Sequence, residues 1–127
     1  MTSAKHYECT VKVEVEFISD QSDIAQNHYA FAYHVKIANT GNVAAQLISR
    51  HWIIRDANGE QNEVKGLGVV GAQPLLNPNE HFEYTSGTVL TTPMGEMYGT
   101  YQMVADDGTQ FDVKIPPFVL AMPRVLH

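Results

Sequence analysis

The sequence predicts an all-β fold: an immunoglobulin-like or fibronectin type III-like antiparallel β-sandwich of about seven strands. Apolar residues alternate with polar ones along several short segments, and turn residues separate these segments. No segment shows the apolar period of a helix, and strands without intervening helices favour antiparallel sheets. The 127 residues fit one domain, which we expect to span 1–127.

The two N-terminal strands have the clearest alternation. In the segment 11–17, the odd positions are apolar and the even positions are charged. The segment 29–37 repeats this period, and the polar stretch 20–27 between the two is expected to hold one short helical turn at most. Both strands should therefore bury one face. The residues predicted to face the core are Val11, Val13, Val15, Phe17, Tyr29, Phe31, Tyr33, Val35 and Ile37.

A third strand is predicted over 44–56, with Ile48, Trp52 and Ile54 on one face. An Asp-Ala-Asn-Gly turn then closes a hairpin with a short return strand at 60–65. Trp52 lies midway along the third strand, where immunoglobulin-like sandwiches bury an aromatic side chain between their sheets. The hairpin and the tryptophan both agree with the predicted sandwich.

The remaining strands are predicted at 81–86, 97–105 and 109–115, and an Asp-Gly pair marks the turn between the last two. Tyr101 is a candidate tyrosine corner, whose hydroxyl group would bond to upstream backbone. The segment 116–123 begins with two prolines, which should end regular pairing, and continues with apolar residues. We therefore expect this segment to pack back on the sandwich or across a partner chain.

Composition and charge limit the classes of function. Eight Lys and Arg residues against fourteen Asp and Glu residues give a net charge of -6, which disfavours nucleic-acid binding through phosphate neutralisation. No apolar run approaches the ~20 residues that cross a bilayer, and the first residues do not resemble a signal peptide. The single Cys9 agrees with a reducing compartment. We therefore expect a cytoplasmic protein without a membrane partner.

Ordered motifs between residues 39 and 123 point to a known family. They are 46–47 (Gln-Leu), 50–52 (Arg-His-Trp), 64–74 (Val-Lys-Gly-Leu-Gly-Val-Val-Gly-Ala-Gln-Pro), 84–87 (Tyr-Thr-Ser-Gly), 92–95 (Thr-Pro-Met-Gly), 97–101 (Met-Tyr-Gly-Thr-Tyr) and 115–118 (Ile-Pro-Pro-Phe). This run resembles the ApaG family, and a looser similarity begins at Val11. One departure is Pro78-Asn79-Glu80, where the family often has Pro-Gly-Glu; Asn also tolerates positive φ.

The resemblance to the ApaG family has implications for fold and function. It implies a fibronectin type III-like sandwich that occurs as a small, free-standing bacterial protein. It also implies an association with cobalt tolerance and magnesium efflux, without an established reaction. The family's domain occurs joined to other modules in eukaryotic F-box and DNA-polymerase-interacting proteins, which implies protein recognition.

The segment Gly66-Leu67-Gly68-Val69-Val70-Gly71, the glycine loop, has the GxGxxG spacing of phosphate-binding loops. In those loops a helix follows and offers its free N–H groups to the phosphate, but the Pro- and Asn-containing stretch 72–80 excludes such a helix here. Exposed loop amides could still hold an anion or a nucleotide pyrophosphate, with Lys65 as the only nearby cation. The favoured interpretation is a connection between the two sheets, with Val69 and Val70 in the core.

The six histidines do not match a metal signature. His34 and His51 lie on strands predicted to be neighbours and are the pair that could meet across them, but their spacing fits no compact ligand motif. We therefore predict no metal site and no cofactor.

No catalytic pattern is present either. Ser86 lacks the flanking residues of a nucleophile elbow. Cys9 near His6 is better explained as a small apolar residue than as half of a dyad, and Asp106-Asp107 before Gly108 is ordinary turn chemistry. We therefore expect that the protein is not an enzyme.

Two functions remain. The preferred one is a non-enzymatic interaction module that contacts a protein partner through the glycine loop and a second loop. The alternative is a small-molecule binder that holds a nucleotide or pyrophosphate at the glycine loop. A homodimer formed through an exposed β edge is a further option. The candidate residues of the second loop are Thr92, Pro93, Met94, Gly95 and Tyr98.

Overall fold

Eight antiparallel strands form two packed sheets in the computed structural model, which describes residues 4–123. The three-stranded sheet has the order β1-β2-β6, and the five-stranded sheet has the order β4-β3-β7-β8, with β5 also pairing with β3. This arrangement confirms the predicted all-β sandwich. The strands are β1 (Cys9–Phe17), β2 (Tyr29–Asn39), β3 (Ala45–Asp56), β4 (Gln61–Leu67), β5 (Leu75–Leu76), β6 (His81–Leu90), β7 (Met94–Ala105) and β8 (Gln110–Ala121).

Two short 3-10 turns, Ser19–Gln21 and Ile24–Gln26, connect β1 to β2, where at most one turn was expected. Asn27 ends the second turn with φ of 54°, a left-handed conformation that Asn tolerates well. Within residues 4–123, no helix is long and apolar enough to cross a membrane.

The alternation predicted for β1 and β2 is confirmed. The two strands pair without a register shift from Cys9–Asn39 to Phe17–Phe31. The odd-numbered side chains of β2 from Tyr29 to Ile37 are all buried, and those of β1 are buried or pack against the same core. The regular pairing keeps one face of each strand on the core along its whole length.

A β-bulge changes which residues of β3 face the core. The register of β3 against β7 shifts between Leu47 and Ser49, so the alternation inverts at that point. Leu47 is consequently fully buried, whereas Ile48 is only half-buried, and Trp52 and Ile54 pack in or against the core. The predicted shared face of Ile48, Trp52 and Ile54 is therefore wrong for Ile48.

The two prolines near the C-terminus do not end β8. The register of β8 against β7 shifts opposite Pro116 and Pro117, and pairing resumes at Phe118 opposite Met97. An edge strand with a bulge accommodates proline, because the missing amide hydrogen is not needed there. The prediction that pairing ends is wrong, but the segment does pack back on the sandwich, with Leu120 fully buried.

Tyr101 links the two sheets rather than forming a tyrosine corner. Its hydroxyl lies 2.5 Å from the hydroxyl of Tyr84 on β6, so the predicted bond to upstream backbone is wrong. Burial raises the pKa of Tyr84 to about 12 and also raises that of Tyr101, so both phenols are neutral at physiological pH. Trp52 packs edge-on against Tyr33, Tyr101 and Phe118.

Candidate functional site

The glycine loop lies at a free edge of the five-stranded sheet. β4 pairs with β3 from Arg55–Gln61 to Ser49–Leu67, and β5 pairs with the start of β3 on the same side. The segment 68–74 connects these two strands of one sheet, so the predicted connection between the two sheets is wrong. We call residues 61–76 the open edge, because within 4–123 no further strand pairs with them on the outside.

Several backbone N–H groups in and beside the glycine loop donate to backbone carbonyl groups. The N–H of Gly68 donates to the C=O of Ile48 at 2.8 Å. Val69 and Ala72 exchange two hydrogen bonds, each N–H donating to the other residue's C=O, at 2.8 and 2.9 Å. These amides are therefore not available to cradle a pyrophosphate.

Val70 and Gly71 form the two-residue turn between Val69 and Ala72. Both have positive φ, 43° for Val70 and 80° for Gly71, as the type I′ hairpin turn requires. Val69 is 1% exposed and Val70 is 60% exposed. The prediction that both valines fill the core is therefore right for Val69 and wrong for Val70, whose β-branched side chain is strained at this φ.

Close contacts explain the glycines at positions 66 and 68. A Cβ on Gly66 would lie 2.8 Å from Nη1 of Arg50. A Cβ on Gly68 would lie 2.3 Å from the carbonyl oxygen of Ala72, and the φ of 63° also favours glycine there. Gly71 faces open space and is needed only for its positive φ. Packing and turn geometry thus account for the GxGxxG spacing without a phosphate.

Arg50 is a second cation at the glycine loop, so the prediction that Lys65 is the only one is wrong. Nη1 of Arg50 donates to the carbonyl oxygens of Leu67 at 3.0 Å and of Gly68 at 2.9 Å. The guanidinium group is thus engaged with the loop's own carbonyl groups. The sequence reasoning missed Arg50, although its position two residues before Trp52 places both on one face of β3.

Four apolar side chains are exposed along the open edge. Leu67 is 75% exposed, Val70 60%, Leu75 59% and Val64 40%. Leu67 and Val70 were predicted as contact residues, whereas Val64 and Leu75 were not. The period of two could have indicated Leu75, because its neighbour Leu76 is buried. The open edge is therefore the most apolar part of the predicted surface.

Thr92 of the second predicted loop has a structural role. It is 7% exposed, and its Oγ1 accepts a hydrogen bond from the N–H of Ala57 at 3.0 Å. The same hydroxyl donates to the carbonyl oxygen of Met94 at 2.7 Å. Thr92 therefore holds the β3–β4 turn against the start of β7 and offers little surface to a partner.

The other residues of the second loop are only partly available. Met94 and Gly95 already belong to β7, and Tyr98 lies further along this strand and is half-buried. Pro93 is exposed, and its carbonyl oxygen accepts a bond from the backbone of Met122. Met94 retains 53% exposure, so it is the main apolar contact that this region offers.

The structure separates the two predicted contact regions. Leu67 pairs with Ser49 near the start of β3, whereas Gly95 pairs with Asp56 at its end. Seven strand residues span roughly 23 Å. The two regions therefore form distinct surfaces at opposite ends of β3.

The two histidines that were predicted to meet, His34 and His51, lie in different sheets. His34 lies on β2, and its ring nitrogens are within 2.8 Å of Thr85 and 3.1 Å of Glu83. His51 lies on β3, in the other sheet, with its Nε2 3.3 Å from Glu63. The prediction that their strands are neighbours is wrong. Within residues 4–123, no group of three His, Cys, Asp or Glu side chains is placed to hold a metal ion.

Cys9 has the environment of a structural thiol. Burial raises the pKa of Cys9 to about 11, so the thiol is protonated at neutral pH. His6 is engaged elsewhere, since its Nε2 lies 3.1 Å from a carboxylate oxygen of Glu8. A protonated, half-buried thiol is a poor nucleophile.

Comparison with known proteins identifies the family. The model of the ApaG domain matches residues 19–105, which is more than half of the chain. The chain belongs to the ApaG family. A Protein ApaG from Methylobacillus flagellatus is 65% identical over the full length of both chains, and one from Thiobacillus denitrificans is 58% identical over the same span.

A solved relative supports the fold of the ApaG chain described above. The crystal structure of an ApaA protein from Bordetella pertussis superposes with a TM-score of 0.92 at 54% identity. The match covers 97% of this chain and 100% of that one. The segment 66–71 and the second loop both fall inside the ApaG-domain match.

Proposed function

We propose that this ApaG-family protein is a non-enzymatic interaction module whose open edge binds a partner protein. The observation that carries the proposal is the set of exposed apolar side chains on Val64, Leu67, Val70 and Leu75. They lie on a sheet edge whose backbone is fixed by pairing with β3. Unpaired strand edges and apolar patches are the surfaces through which sheets recognise other chains.

The geometry of the glycine loop favours protein contact over pyrophosphate binding. The amides of Gly68, Val69 and Ala72 donate to backbone carbonyls, and the guanidinium of Arg50 contacts the carbonyls of the loop. An anion would have to displace these bonds before it reached the amides of Gly68, Val69 and Ala72. A partner's apolar side chain could pack on Leu67 and Val70 without disturbing them.

The cellular setting is part of the same proposal. We infer that the protein acts in the cytoplasm, which agrees with the protonated, unpaired thiol of Cys9. The cobalt and magnesium association of the ApaG family would then be indirect, through a partner. The dispersed positions of His34 and His51 support this indirect interpretation.

A capture experiment with matched variants tests the interaction module. Leu67→Asp with Leu75→Asp places two charges on the open edge, and Val119→Asp places one on β8, where Val119 is 56% exposed. We expect the open-edge variant to retain at most roughly one tenth of a partner protein captured by the wild type, and the Val119 variant to retain most of it. Circular dichroism checks that each variant is folded.

Two outcomes would contradict the interaction module. One is equal capture by the wild type and the folded open-edge variant. The other is an amide titration in which the signals of Gly66, Gly68 and Gly71 move and saturate with inorganic pyrophosphate, which would favour the alternative ligand. We expect these signals to stay unchanged at millimolar pyrophosphate.

A further inference from the structure

Five strands lie at the margins of the two sheets, namely β1, β4, β5, β6 and β8, and two of them are closed to pairing. β1 and β8 approach each other where the sheets meet, so each covers the other's free side. β8 also carries Pro116 and Pro117, which lack the amide hydrogen that a ladder needs. Within residues 4–123, β4, β5 and β6 are left open, and because β5 has only two residues, β4 and β6 are the candidates for pairing.

β4 and β6 differ in their charges. β6 contains Glu83 but neither Lys nor Arg, so two β6 strands side by side bring no carboxylate opposite a Lys or Arg. β4 contains Glu63 and Lys65 at positions two apart, and all but one of its residues are exposed. Opposite charges across an antiparallel pair stabilise it, which favours β4 as a self-pairing strand.

Alternate residues of β4 direct their backbone groups to the free edge. The bonds that flank the ladder run from Asp56 N–H to Glu60 C=O and from Gly68 N–H to Ile48 C=O, both at even-numbered residues on the β4 side. Since bonding alternates in an antiparallel ladder, the even-numbered residues of β4 bond to β3 and the odd-numbered ones face outward. The outward N–H and C=O groups belong to Gln61, Glu63, Lys65 and Leu67, of which the Leu67 C=O already accepts a hydrogen bond from Arg50.

The outward groups restrict how two copies can pair. The odd-numbered residues of β4 in one copy must bond to odd-numbered residues of β4 in the other copy. The two-fold axis therefore lies at one residue position, which is opposite itself in the second copy, and not midway between two neighbouring positions. An axis at Glu63 or at Lys65 sets that charge opposite its own copy, which is unfavourable. An axis at Val64 sets each Glu63 opposite the Lys65 of the other copy.

We propose that two copies of this chain pair through β4, antiparallel and centred on Val64, so that their five-stranded sheets become continuous. The inference rests on the proposed function, because it names a second copy as a partner of the open edge. The two Val64 side chains, each 40% exposed in one chain, meet at the close, non-hydrogen-bonded position. The Glu63 carboxylate, whose Oε1 lies 3.3 Å from His51 Nε2, is held on the outer face beside the incoming Lys65.

Charge reversal in the full chain tests the register. By sedimentation equilibrium we expect the wild type to reach twice the 14.1 kDa chain mass at a concentration of about 100 μM. Glu63→Lys and Lys65→Glu should each raise the dimer dissociation constant at least about ten-fold, because each sets like charges opposite twice. The double reversal should return it to within about three-fold of wild type.

Matched controls and amide exchange define the interface. Glu16→Lys and Lys12→Glu make the same charge changes on β1 and should leave the dissociation constant unchanged. Hydrogen exchange should slow with concentration at the amides of Glu63 and Lys65. A monomeric wild type at about 1 mM, or a double reversal as weak as the single ones, would overturn the β4 pairing.

The β4 pairing and the proposed function fail in different ways. A wild type that stays monomeric while Leu67→Asp with Leu75→Asp abolishes capture overturns the pairing and leaves the interaction module standing. A dimer with the expected charge dependence, together with unchanged capture of other proteins, supports the pairing and overturns the binding of a different protein at this edge.

Discussion

We call the side where β1 meets β8 the closed side, because each of these two strands covers the free side of the other. On the open edge, the outer side of the strands is uncovered. Leu120 of β8 is fully buried, but Leu67 of β4 is 75% exposed. Contacts of the N-terminal segment with the β7–β8 turn reinforce the closed side. There Lys5 Nζ lies 2.8 Å from Asp107, and the Tyr7 hydroxyl donates to the same carboxylate.

The two edges belong to the same five-stranded sheet, so the exposure of β4 is not a general property of that sheet. On the closed side, the buried apolar residues of β8 stabilise the chain itself. On the open edge, the apolar residues are held outward by a backbone that glycines and Arg50 fix in place. The difference assigns stability to the closed side, and we propose that the open edge serves recognition.

Truncation of one leucine on each edge should give the largest difference in the free energy of unfolding. We expect Leu120→Ala to lower the free energy of unfolding by about 2–5 kcal/mol, because it leaves a cavity in the core. Leu67→Ala should change it by about 0.5 kcal/mol or less. Urea denaturation at low protein concentration measures both, and similar losses would contradict the assignment of stability to the closed side.

The stability of the open edge should depend on its backbone conformation rather than on the burial of its side chains. Gly68→Ala combines a positive φ with a Cβ 2.3 Å from the Ala72 carbonyl oxygen, so we expect a loss of at least about 2 kcal/mol. Gly71→Ala has only the φ penalty, since its Cβ meets open space, and should cost about 1 kcal/mol. Thermal unfolding compares the two. Equal losses would show that the Ala72 contact does not matter.

The sequence predicted those strands whose alternation is uninterrupted. β1 and β2 keep one face buried throughout, so the period of two identified them and their core residues. The bulge in β3 and the prolines of β8 could not be predicted in the same way, because both depend on the register with β7. Local pattern determines a strand, whereas its partners determine where it bends.

The candidate site was predictable only in part. Leu67 and Val70 lie in the predicted loop, although Val70 was also expected in the core. The glycine spacing could not reveal that Arg50 and the Ala72 carbonyl approach Gly66 and Gly68. Those contacts join residues whose positions become known only once β3 and β4 are paired. The separation of roughly 23 Å between the two contact regions has the same origin, since it follows from the seven residues of β3 between Ser49 and Asp56, at about 3.3 Å per residue.

The smallest expected effect lies on the closed side, at the exposed Asp107. The hydrogen bonds from Lys5 and Tyr7 hold the pKa of Asp107 well below its usual range. Because the pKa is lower in the folded than in the unfolded chain, the contribution to stability is complete above about pH 4 and is lost as the pH falls toward the folded pKa. Asp107→Asn should therefore be less stable than wild type at neutral pH, with a gap that closes in acid.

Lys5→Met provides the matched control for this pH dependence. It removes the largest cause of the shift but keeps the carboxylate, so it should raise the pKa of Asp107 and reproduce part of the acid-dependent gap. Urea denaturation between pH 7 and about pH 2, with an NMR titration of Asp107, measures both variants. A gap for Asp107→Asn that stays constant over this range would show that the Lys5 contact does not stabilise the closed side.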